Sequence, residues 1–244
     1  MRLAIPALAA ALLGAAAPAA AGELEFTPYV WIPGINGTIG TGGGDASTGG
    51  DRVNVDFTPE FRIGGAMLNF SWREDRFTAF GDWTYANVRA TSPSPFGALY
   101  SEVKGQIIGN VIQLFSGYTL LQGEGMRLDA FIGGRAYGIT GRLQLEPGTF
   151  TSERKFSSNS VWFDACTGLR FNALFAKHWA VFLRGDVGAG GSNFTGQWYA
   201  GGGYQFGWGA LLAGWRYLYI DRGEGALQLK LSLSGPIVGA NFTF

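Results

Sequence analysis

From residue 24 onward the chain is patterned with a period of two. Apolar and polar positions alternate through a series of segments split by Gly, Pro, Asp and Asn clusters, and successive side chains of a strand point to opposite faces. Ten such segments lie near 24–40, 52–74, 76–90, 100–120, 126–145, 158–174, 178–190, 194–206, 209–220 and 226–244. Most exceed the ~5–6 residues common in soluble sheets. They cover the ~9–11 residues that a tilted strand needs to cross a bilayer. The pattern predicts an all-β chain, a single antiparallel up-and-down barrel of ten membrane-spanning strands. Eight strands is the alternative, if the first two segments stand partly outside the membrane.

The faces separate best in the second half. In 158–174, Val161, Phe163, Ala165, Leu169 and Phe171 share one face, and Asp164, Cys166, Gly168, Arg170 and Asn172 share the other. In 209–220, Leu211, Ala213, Trp215, Tyr217 and Tyr219 oppose Gly214 and Arg216. In 226–244, Leu227, Leu229, Leu231 and Leu233 oppose Gln228, Lys230, Ser232 and Ser234. The apolar parity then passes to even positions, with Val238, Ala240 and Phe242. A β-bulge at Gly235-Pro236 is expected to keep one face apolar throughout, because an extra residue re-aims a strand and Pro lacks the ladder donor.

Aromatic residues separate a membrane barrel from a soluble sandwich. The eight tryptophans and Tyr85, Tyr204, Tyr217 and Tyr219 fall mostly near segment ends or on apolar faces, as interface girdles require. Only 15% of residues are charged and forty are glycine, so the opposite faces could not make a soluble exterior. Short connections near 73–75, 122–125, 176–177 and 207–208 alternate with others near 41–51, 91–99, 146–157, 191–193 and 221–225, mostly longer. This matches periplasmic turns and extracellular loops, and it places both termini in the periplasm.

Residues 1–21 read as a cleaved signal: Met1-Arg2, an Ala/Leu run, and Ala19-Ala20-Ala21 before Gly22. Residues 22–244 then form one barrel domain. The formal net charge is zero, which gives no case for nucleic acid. Cys166 is the single cysteine, so no internal disulfide forms. His178 is the single histidine, too little for a common metal site, and no cofactor is expected.

An exported chain that ends in an alternating strand closed by Phe242 and Phe244 resembles the Gram-negative outer-membrane β-barrels. A narrower resemblance rests on Pro28-Tyr29-Val30-Trp31-Ile32-Pro33-Gly34-Ile35-Asn36-Gly37-Thr38 and on Gly201-Gly202-Gly203-Tyr204-Gln205-Phe206-Gly207-Trp208. It continues in Trp215-Arg216-Tyr217-Leu218 and Gly235-Pro236-Ile237-Val238-Gly239. In order and spacing these are similar to a family of proteobacterial outer-membrane β-barrel proteins to which no catalytic residues are assigned. The resemblance implies location in the outer membrane, with its lipid as surroundings. Phe242 and Phe244 would serve as the assembly signal, read by periplasmic chaperones and the barrel-assembly machinery.

Chemistry is expected in the lumen. Charges facing lipid cost roughly 2–4 kcal/mol at the midplane, so Asp82, Lys104, Arg135, Asp164, Arg170, Arg184, Asp186, Arg216 and Lys230 should point inward. A barrel of this size is filled by side chains more readily than it leaves a channel. The three Asp are therefore expected to pair with the four Arg as a structural network, in preference to a transport lining. No Gly-x-Ser-x-Gly elbow is present and His178 falls at a turn, so no enzyme is expected. The stretch Gly40–Gly50 lacks the Lys and helix of a nucleotide loop. The Asn-x-Thr sequons at Asn36, Asn193 and Asn241 are incidental to a bacterial compartment. The function expected is structural or small-solute passive transport. The alternative is a surface-binding barrel acting through 41–51, 91–99 and 146–157.

Overall fold

The computed structural model describes residues 22–41, 52–57, 64–93, 100–147, 154–223 and 227–244. Residues 1–21, expected above to be a signal, and the five internal segments 42–51, 58–63, 94–99, 148–153 and 224–226 lie outside the described residues. Every regular element described is a strand: β1 (Glu23–Trp31), β2 (Gly34–Thr41), β3 (Arg52–Phe57), β4 (Gly64–Glu74), β5 (Phe77–Pro93), β6 (Tyr100–Gly123), β7 (Met126–Pro147), β8 (Arg154–Phe175), β9 (Trp179–Gly190), β10 (Phe194–Phe206), β11 (Gly209–Arg222) and β12 (Leu227–Thr243).

β1 and β4 through β12 pair in sequence, and β1 also pairs with β12, closing an antiparallel barrel of ten strands. β2 and β3 extend it on one side. β1 and β2 share a single register on β12, with Trp31 opposite Ile237 and Gly34 opposite Ser234. They make one long stave interrupted only at Ile32-Pro33. Likewise β3 and β4 both fall within the predicted segment 52–74. This is why ten alternating segments appear as twelve strands.

One end of the barrel carries tight turns. Asp75, Gly125, Ala176 and Lys177 adopt positive φ there, the conformation that lets a short connection follow the twist of the strands. The other end carries the longer loops and is uneven. β9 and β10 stop at Gly190 and Phe194, while β8 runs on to Arg154 beyond its last pair with β9 at Asp164. β5 to β8 thus form a tall wall and β9–β10 a low one.

The exterior is apolar, with Val161, Ile132 and Val238 each more than 60% exposed. Around the turn end a chain of ring contacts passes from β9 to β12: Trp179–Tyr204, Tyr204–Phe206, Phe206–Trp208 and Trp208–Phe242, with centroids 4.9–5.6 Å apart. His178 stacks on Tyr204 in the same girdle. Trp31 and Trp162 depart from this pattern and are buried inside the barrel.

The expected bulge at Gly235-Pro236 does not form. β12 keeps unbroken pairing with β11 from Ala210–Asn241 to Arg222–Leu229, and its odd positions point inward throughout. Leu229 and Leu231 are buried in an internal apolar cluster, while Lys230 is exposed on the outside. The reason lies in the surroundings. A membrane barrel needs an apolar exterior over a band only ~25 Å tall, and beyond that band a strand is free to face water with its polar side. The ladder irregularities observed lie instead between β6 and β7, at Tyr100/Val103 and Thr119/Leu121.

Candidate functional site

Two rows of inward side chains cross the barrel at mid-height. The first runs along direct cross-strand partners: Asp82 on β5, Gln113 on β6, Arg135 on β7 and Asp164 on β8. The second runs Arg184 on β9, Tyr199 on β10 and Arg216 on β11. Because a strand alternates its faces, Asp186 and Gln197 stand one inward step nearer the loop end. The rows meet across the lumen.

Gln113 is the hub. Its Oε1 accepts from Arg135 Nε and Nη2, both at 3.2 Å, from Arg184 Nη2 at 3.3 Å and from Gln197 Nε2 at 3.0 Å. Its Nε2 donates to Asp82 at 3.1 Å. Asp186 accepts from Arg184 at 3.2 Å, from Gln197 at 3.2 Å and from Arg135 Nη2. Arg216 donates through Nε and Nη2 to Gln197 Oε1 at 3.2 and 2.8 Å, and through Nη1 to the Tyr29 hydroxyl at 2.6 Å and Thr84 Oγ1 at 3.0 Å. Its Nη2 lies 3.4 Å from Asp82, which also accepts from the Tyr29 hydroxyl at 2.7 Å. Arg135 and Arg216 have no exposed surface. Such charges are tolerated only when paired and hydrogen-bonded, and this belt supplies both.

A separate cluster lies toward the turns. Asp129 on β7 accepts from Arg170 at 3.0 and 3.2 Å, from Arg127 at 3.0 Å and from Thr119 at 2.8 Å. Between the two, Phe80, Phe115, Phe131 and Cys166 form an apolar layer. The Arg184 guanidinium sits 4.7–5.2 Å from those three ring centroids, a cation–π arrangement. On the loop side of the belt Trp31, Ile35, Met67, Tyr137, Trp162, Leu218, Ile220, Leu229 and Leu231 pack into the apolar cluster named above. Tyr137 stacks on Trp162 at 4.6 Å. Belt and cluster together occupy the lumen from mid-height toward the loop end. On the turn side remains a cavity of about 510 Å³.

Of the nine charged residues expected in the lumen, seven point inward, in three settings. Asp82, Arg135, Arg184, Asp186 and Arg216 meet in the belt. Arg170 points inward but joins Asp129, a carboxylate the sequence reading passed over. Asp164 is fully buried yet makes no ion pair among the described residues. Its Oδ1 accepts the Ser192 backbone N–H at 2.7 Å, so it holds the short β9–β10 turn, where Trp162 Nε1 also donates to Ser192 Oγ at 2.9 Å. Lys230 does not belong to the lumen. Lys104 lies on β6 with its side chain outside the described residues. Gln113, Gln197, Thr84 and Tyr29 were not foreseen, because charge was the criterion and they carry none. Their signal was inward parity beside a charged neighbour. At the chain end, Phe242 joins the girdle. Phe244 is 78% exposed, with its backbone paired to Leu24 at 2.9 and 3.2 Å.

No family model matches the chain, and no curated protein matches it. Among solved structures it is similar to Ail, the attachment invasion locus protein of Yersinia pestis, at 9% identity over 91% of this chain and 99% of that one, with a TM-score of 0.37. It is similar to the translocator domain of the autotransporter NalP from Neisseria meningitidis at 14% identity over 97% and 93%, TM-score 0.40. It is also similar to the outer membrane protein OprG from Pseudomonas aeruginosa at 10% identity over 91% and 95%, TM-score 0.34. These likenesses are too distant to bear on function. The fold rests on the strand pairing itself.

Proposed function

We propose that the chain is an outer-membrane barrel with a sealed lumen, structural in role, and not an open diffusion pore. The observation that carries this reading is the belt of Asp82, Gln113, Arg135, Arg184, Asp186, Gln197 and Arg216, closed on its loop side by apolar packing. Five of these side chains are ionic with mixed sign, as mutual pairing requires, whereas a selective pore displays one sign. The apolar exterior, the aromatic girdle and the tight turns at one end support placement in the outer membrane. Reconstituted in a planar bilayer, the full chain should give small or undetectable conductance. Large, steady single-channel currents would overturn the reading.

Phe242 and Phe244 are proposed to mark the chain for assembly. Phe244 buries little, so its deletion should leave refolded stability nearly unchanged while lowering the yield of folded, outer-membrane-located protein in cells. A normal cellular yield, scored by the heat-dependent gel shift, would remove that role.

A second reading, contact with an external surface, is favoured by the tall wall of β5 to β8. The wall ends at Pro93, Tyr100, Pro147 and Arg154, the described residues that flank the segments expected to bind. The tips of those segments lie outside the described residues.

A further inference from the structure

The cavity on the turn side has features that the sealed lumen does not use. Its volume, about 510 Å³, falls within the ~300–1,000 Å³ of small-molecule pockets. Its mouth lies among the tight turns, where Arg73 pairs with Glu23 at 2.8 Å and approaches Glu25 at 3.8 Å. Its walls include Phe80, Phe182 and Leu212, and its roof is formed by Tyr29, Asp82, Arg184 and Tyr199. Of the arginines that line it, Arg127 and Arg170 share Asp129, Arg184 pairs with Asp186 and Arg73 with Glu23.

Two donors at the roof have no acceptor. Arg184 Nε and the Tyr199 hydroxyl are both buried and unpartnered, on side chains only 6% and 7% exposed. The guanidinium of Arg184 lies 5.3 Å from the Tyr199 ring centroid, so the two side chains are neighbours in the lining of one cavity. Buried polar groups in folded proteins are almost always satisfied. The roof's own carboxylate is engaged elsewhere: Asp82 accepts from Tyr29, Thr84 and Gln113 and from neither of these two donors. The missing acceptor must come from outside the chain. Both unpartnered groups are donors and one belongs to a guanidinium, which favours an anionic acceptor, and the rings around Arg184 favour an apolar body behind it.

We infer that this cavity binds a small monoanion with an apolar body, a carboxylate carried on a ring, with its carboxylate at Arg184 and Tyr199. The site rests on the sealed-lumen reading, which supplies its closed roof. The solute would reach it from the turn end, which the loop-length pattern of the sequence assigns to the periplasm.

Benzoate tests this by calorimetry on the full chain folded in detergent, with benzamide as the neutral isostere and acetate as the anion lacking a ring. Benzoate should saturate at one per chain, and the other two should bind roughly tenfold more weakly or worse, the scale of one charge-assisted hydrogen bond. Tyr199→Phe should weaken benzoate by roughly fivefold with the gel shift intact, and Arg184→Gln should abolish saturation. If Arg184→Gln does not fold, Tyr199→Phe and the benzoate–benzamide pair decide. Equal binding of benzoate and benzamide, or no saturable benzoate binding, overturns the site. A sealed barrel that ignores benzoate loses the site alone, whereas steady ion currents overturn the sealed lumen whatever benzoate does.

Discussion

The two halves of β12 obey the same alternation and put it to opposite use. On the turn side, Val238 is 62% exposed and faces outward, while Gly239 and Asn241 face in. On the loop side, Leu229 and Leu231 are buried within and Lys230 is exposed without. The turn-side half is inside-out in the manner of a membrane protein, and the loop-side half is built as a soluble sheet would be. No kink or bulge separates them. What changes is the medium beyond the wall, because hydrocarbon makes an outward Lys costly and water does not.

The most severe way to break this comparison is to exchange polarity on the loop-side half. Leu231→Arg would place an unpaired guanidinium in the apolar cluster, a penalty of several kcal/mol, and it should prevent recovery of the heat-shifted folded band. Ser232→Arg, on the outer face, should stay within about 0.5 kcal/mol of wild type. Equal refolding midpoints in urea for the two would sink the inside-out assignment.

A smaller effect separates the belt from its surroundings. Asp186→Ala removes the carboxylate shared by Arg135 and Arg184 and should cost about 3–5 kcal/mol, read as a lower urea midpoint. A loss below ~1 kcal/mol, the level of a surface ion pair, would mean that the belt is not a mutually dependent network.

The smallest effect sharpens the boundary of that network. Asp164→Ala forfeits the bond to the Ser192 backbone and should cost only ~1–3 kcal/mol, the range for a buried donor left unpaired. A cost matching that of Asp186→Ala would return Asp164 to the ion-paired group.

Most of the wall was legible because period two is a local property. The segment read near 194–206 is β10 at Phe194–Phe206, and that near 209–220 is β11 at Gly209–Arg222. Which face looks inward was legible only where charge disclosed it, as at Asp164 and Arg170. At Leu231 and Lys230 it was not, since no residue states where hydrocarbon ends. The pairing within the lumen was less legible still. Asp129 shares inward parity with Arg135, so the face was readable. That Arg170 joins Asp129 and not Asp82 depends on the stagger between strands, a long-range property. The neutral hub Gln113 gave no sign of its importance beyond its place between Asp82 and Arg135.

The interruption at Ile32-Pro33 falls opposite Gly235 and Pro236 along the line where β1 and β2 meet β12. Pro33 stands opposite Gly235 and Pro236 opposite Ile32 in that register, and each proline lacks an amide hydrogen for the ladder. The same line joins the two ends of the sequence, Glu25 with Thr243, so it is the pairing with the greatest entropic cost of loop closure. The barrel therefore has one seam that differs in kind from its other contacts. Its hairpins can form locally and early, and the cylinder closes when this line zips, with the prolines setting a step between a turn-side stretch and a loop-side stretch. Time, more than strength, is what the seam controls.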